Sequence, residues 1–128
     1  MTYYFAKTLD SGFDAAVART REALQAQGFG IITEIDVTKT LKTKIGADFR
    51  PYLILGACNP KLAHEALLLE DKVGTMLPCN VVVQEVAPGK VEIAAIDPLA
   101  SMRAIDNAEL LDKARMVGDK LNAAVAAI

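Results

Sequence analysis

Cys58 and Cys79 are the residues of this chain best suited to chemistry. Cys58 stands directly before Asn59-Pro60, a pair that opens a helix. Asparagine caps free amides, and proline fits the first helical position, where its missing N–H costs nothing. A sulfur facing that helix start would feel its partial positive charge, which favours thiolate over thiol. Cys79 follows Leu77-Pro78 and begins a later apolar run, and the turn of chain between them would bring both sulfurs to one rim of a sheet. Three chemistries follow: a reversible dithiol–disulfide pair, a soft-metal site, or a thiolate nucleophile. The plainer alternative is that each cysteine packs as a small hydrophobe, the usual fate of a free thiol.

The single histidine, His64, completes a candidate metal set of Cys58, Cys79 and His64, with Met76 or Met102 as a further thioether. Thiolate, imidazole and thioether together suit Zn(II) or Cu(I). The 20 residues between the cysteines follow neither a zinc-ribbon nor a C-x-x-C spacing, so only folding could pair them. Asn59, Asn80 and Asp97 are the candidate ligand contacts around the sulfurs. Each also has a local role, as helix cap, turn residue and strand terminator. Lys61 or Arg50 would add positive charge if the helix start held a small anion. One histidine cannot serve a catalytic triad convincingly, and neither G-x-G-x-x-G nor a Walker pattern occurs. No reaction is supported by the residues.

The elements that must position these groups can be read in order. Thr2 to Thr8 reads as a strand. Ser11 then caps a helix carrying Phe13, Val17, Thr20 and Leu24 at helical spacing, with Gly28 as terminator. Gly30 to Asp36 is a second strand. Asp36 caps a short helix that keeps Val37, Leu41 and Ile45 on one stripe, ends at Gly46 and turns Lys39, Lys42 and Lys44 to water. Tyr52 to Ala57 is apolar on both faces, which marks a central strand covered on both sides. The Asn59 helix buries Leu62, Ala63, Ala66 and Leu67 and runs to about Glu70. Cys79 to Val86 and Val91 to Ile96 form a hairpin about Pro88-Gly89. Leu99 to Ile105 is a loop. Asp106 with Glu109 resembles a capping box for a last helix whose stripe is Leu110, Ala114, Val117, Leu121, Val125 and Ile128, with Glu109–Lys113 as an ion pair.

The order β-α-β-(α)-β-α-β-β-α implies an α+β fold: a two-layer sandwich, with helices on one face of a five-stranded, mixed or antiparallel sheet, distantly ferredoxin-like. A length of 128 residues fits a single domain spanning 1–128. With 52% apolar but only 5% aromatic residues, the core must be built of Val, Ile, Leu and Ala. A net charge of -2 and the lack of a basic, aromatic-rich face argue against nucleic acid. No apolar run approaches the ~20 residues of a membrane span, and no secretory signal opens the chain. Two cysteines without a framework spacing suggest a reducing, cytoplasmic compartment.

At Gly56-Ala-Cys-Asn-Pro60, Leu62-Ala63, Gly74 and Leu77-Pro-Cys-Asn80 the chain resembles the bacterial and archaeal family known as domain of unknown function 302. Phe49-Arg-Pro-Tyr52, Val81-Val-Val83 and Asp97-Pro98 extend the resemblance over nearly the whole chain. It implies a compact α+β domain that tends to dimerise, and no activity. The expectation for function is a small cytoplasmic homodimer that holds a small ligand or soft metal, Zn or Cu(I), in a Cys58/Cys79 pocket without turnover. A thiol-dependent redox protein or enzyme is one alternative. A structural homodimer with packing cysteines is the other. The dimer expectation rests on the sheet face, because one chain supplies helices for one side while Tyr52 to Ala57 asks for cover on both.

Overall fold

The computed structural model describes residues 2–128. Its strands are β1 (Tyr4–Asp10), β2 (Gly30–Asp36), β3 (Tyr52–Cys58), β4 (Cys79–Ala87) and β5 (Lys90–Ile96). They form one sheet in the order β1-β5-β4-β3-β2, with every neighbouring pair antiparallel. The alternative of a mixed sheet is thereby resolved. β2 to β5 run as a meander, while β1 joins the far edge beside β5. Helix α1 (Phe13–Ala26) therefore carries the chain across the whole width of the sheet.

Alternation along each strand turns one face into the core. Leu55 and Ala57 of β3, Cys79, Val81 and Val83 of β4, and Val91, Ile93 and Ala95 of β5 are buried there. Ala16 and Leu24 of α1 and Leu121, Ala124 and Val125 of α5 (Ala108–Ala127) cover them. The result is the two-layer α+β arrangement. A smaller cluster, Ala66, Val73, Met102, Leu110 and Ala114, forms where α3 (Pro60–Leu69), the 3-10 turn Asp71–Met76, α4 (Pro98–Met102) and the first half of α5 meet.

Most helix signals act as read. Asp36 accepts from Lys39 N and Asn59 from Leu62 N, while Gly28 and Gly46 take the left-handed conformation that ends their helices. Four differ. Ser11 does not cap α1: Gly12 holds that position, and Ser11 Oγ donates to the Gly12 carbonyl. Asn107, not Asp106, caps α5, its Oδ1 accepting from Leu110 N at 3.0 Å. Lys113 pairs with Glu65 of α3 at 3.0 Å rather than with Glu109 one turn away. The span read as a loop after Pro98 contains α4, because Asp97 accepts from Leu99 N and Pro98 fits the first turn.

Helix α2 (Val37–Ile45) contributes no buried residue, and Ile45 is 72% exposed. It links β2 to β3 and is tied down through Thr38, which accepts from Tyr52 N and donates to Arg50 O. On α3 the stripe is narrower than its apolar content suggested, with Leu67 exposed.

Candidate functional site

Strand register brings the two cysteines together. Cys79 is the ladder partner of Ala57, so Cys58 stands one residue further along the adjacent strand. β3 ends at Cys58 because Asn59-Pro60 immediately opens α3. Both cysteines are free, Cys79 buried and Cys58 half-buried, and both line a single cavity of ≈ 40 Å³. Its walls come from segments far apart in the chain: Phe29 from the turn before β2, Leu62 and Ala66 of α3, Met102 of α4, and Leu110, Lys113 and Val117 of α5. Asn59 also lines it, while its Oδ1 is spent on the α3 cap and its Nδ2 lies against Gly28.

The cavity has room for a few water molecules or an ion, whereas metabolite pockets run to about 300 Å³ and more. Burial pushes the Cys79 thiol up to about 11 from the ordinary 9.0, and the charge of the neighbouring Cys58 adds to the rise. Cys79 therefore stays protonated at neutral pH, where a thiol is a poor nucleophile. Lys113 is the cationic side chain in the wall. Its partner Glu65 holds it at 3.0 Å, both side chains about one-third exposed.

The remaining candidates lie elsewhere. His64 is exposed and does not line the cavity, so the set Cys58, Cys79 and His64 is not assembled. The reason is periodicity. His64 lies two residues from Leu62 and from Ala66, both buried, which places it on the opposite side of α3. Among the described residues no three His, Cys, Asp or Glu side chains group as a metal site would require. Asn80, next to Cys79, points to the other face of the sheet, beside Gly56 and in a groove with Tyr3, Tyr4 and Tyr52. Asp97 caps α4 and packs against Gly118; its neighbour Pro98, not Asp97, reaches the cavity. Arg50 lies at the opposite end of β3, donating to Gln84 and stacked on Phe49.

Lys113, Phe29, Leu110 and Val117 reach the cysteines only through tertiary packing, which no local pattern marks. Met102 is 4% exposed and shares the cavity with both thiols, whereas Met76 packs against the smaller cluster. Thus a thiol pair and a thioether share one apolar chamber.

The outer sheet face is built around Ile54, Val82, Ala94 and Ile96, all half-buried, and the tyrosine-lined groove above them measures ≈ 390 Å³. Gly56 lies under this face. A Cβ there would clash with Thr33 Oγ1 and stand 2.7 Å from Pro78 Cγ, so only glycine lets the Thr33 side chain and the Pro78 ring lie so close.

Among the described residues no helix is long and apolar enough to cross a membrane. The sequence profile of the family described as Domain of unknown function DUF302 matches residues 5–128. The chain is similar to a crystal structure of an uncharacterized conserved DUF302 protein from Bacillus stearothermophilus, with 28% identity and a TM-score of 0.91, over 99% of this chain and 98% of that one. No curated protein matches it.

Proposed function

The chain belongs to the DUF302 family, and from that footing we propose that it is a binding protein that holds a soft metal ion between Cys58 and Cys79, without turnover. One observation carries this reading: both thiols line the same small chamber. Its ≈ 40 Å³ suits an ion better than an organic metabolite, which favours the soft metal over a small organic ligand. The thiol-enzyme reading is weaker, because His64, the histidine that would serve Cys58 as base, is exposed and lies outside the chamber. A reducing, cytoplasmic setting would keep both thiols free to bind.

Metal protection of thiols tests the reading. Reduced protein is alkylated with and without Cd(II) as a thiophilic probe. Protection of both cysteines at one metal per chain supports it, while unchanged labelling of both ends it.

The outer face of the sheet supports a second element, a homodimer. Ile35 and Tyr4 are 49% and 42% exposed at its two edges. Five strands of about seven residues present roughly 550 Å² per copy at the usual strand spacing and rise. Two copies face to face would bury about 1,100 Å², which clears the ~1,000 Å² of a specific interface. Sedimentation equilibrium at micromolar concentration should give twice the chain mass. A monomer there would refute the dimer and leave the thiol chamber untouched.

A further inference from the structure

We infer that the ion is Cu(I), held by three sulfurs: the thiolates of Cys58 and Cys79 and the thioether of Met102. The inference deepens the soft-metal reading and depends on it. Zn(II) wants four ligands, usually nitrogen and sulfur in a tetrahedron. The chamber offers no imidazole, since His64 is turned away, and no carboxylate lines it. What remains is an all-sulfur set, the donor type that selects Cu(I) over harder ions, and Cu(I) accepts two or three donors. Met102 supplies the third. It sits on α4, is 4% exposed and faces the same chamber as the thiols.

Charge can be balanced at the site. Binding one Cu(I) releases the two thiol protons, so two thiolates and one cuprous ion leave the site with one net negative charge. An uncompensated charge in apolar surroundings is costly. Lys113 of α5 is in the wall and would balance it by exchanging its salt bridge to the one-third-exposed Glu65 for the site.

Anaerobic titration of the reduced protein with Cu(I), buffered by a competing cuprous chelator, tests the assignment, with Zn(II) titrated in parallel. The expected result is one Cu(I) per chain, two protons released per metal, and Zn(II) bound at least 1,000-fold more weakly. Met102→Leu, which keeps the volume of the side chain, should weaken Cu(I) about tenfold or more while leaving the thermal unfolding curve unchanged. Cys58→Ser should weaken it at least 100-fold. Zn(II) held as tightly as Cu(I), or Cu(I) affinity untouched by Met102→Leu, would overturn the three-sulfur assignment and leave the two-thiol site standing. Failure of Cu(I) and Cd(II) alike to protect either thiol would overturn the site itself.

Discussion

Raising the pH should destabilise this protein through one sulfur. In the metal-free, reduced state the Cys79 thiol titrates near 11, against 9.0 for an ordinary cysteine, because its strand buries it. Below pH 9 the thiol keeps its proton whether the chain is folded or not, and stability is indifferent to pH on its account. Between 9 and 11 the unfolded chain releases the proton and the folded one retains it, so each pH unit favours unfolding by about 1.4 kcal/mol. Two units amount to about 3 kcal/mol, a large fraction of the 5–15 kcal/mol typical of a domain. Lysines and tyrosines titrate in the same window, so the observable is a difference. Urea unfolding of the native protein and of Cys79→Ala is followed from pH 7 to pH 11. At neutral pH the variant should be the less stable, having lost a buried sulfur, and by pH 11 the gap should have closed by about 3 kcal/mol or reversed. Curves that stay parallel over the whole range would refute the claim that this thiol is desolvated, as would convergence already complete below pH 8.

Gly56→Ala should cost about 1–3 kcal/mol or more by urea unfolding, because the new methyl clashes with Thr33 Oγ1 and meets the rigid Pro78 ring at 2.7 Å. Adding Thr33→Ala should recover part of that loss. Asn107→Ala removes the α5 cap and the Nδ2 bond to the Leu69 carbonyl, and should lower stability by about 1–2 kcal/mol, whereas Asp106→Ala should shift it by less than about 0.5 kcal/mol. Leu121→Ala, at a fully buried site between sheet and helix, should cost about 2–5 kcal/mol and lower Tm accordingly.

What the sequence disclosed depended on how local the cause was. Asp36, Asn59, Gly28 and Gly46 act within one helical turn, and each does in the fold what its type and position imply. Asp97-Pro98 carries the same cap-then-proline signal as Asn59-Pro60, yet reads as a strand stop because the five-residue helix it opens is too short to show periodicity. Asp106 and Asn107 are both good caps. The choice between them is made by the Leu69 carbonyl, 38 residues away in sequence, which only Asn107 can satisfy with an amide. His64 was legible in principle, since a residue two places from each of two buried positions must face away from them. Met102 stood out only as a sulfur of unassigned purpose, and Lys113 only as half of a helical ion pair. Their place beside the cysteines is set by how α4 and α5 pack, which no local pattern encodes.

The crossover from one sheet edge to the other has a consequence for biosynthesis. β1 finds its hydrogen-bonding partner in β5, so residues 4–10 must wait for residues 90–96 to be made. At ~5–20 residues per second the ribosome takes several seconds to supply them. Lys7 then closes the arrangement by donating to the carbonyls of Ala126 and Ile128, in the last turn of α5. The earliest-made strand is thus the last to be secured. Until then its Phe5 and Leu9, which pack into the core of the finished fold, stay uncovered on the nascent chain.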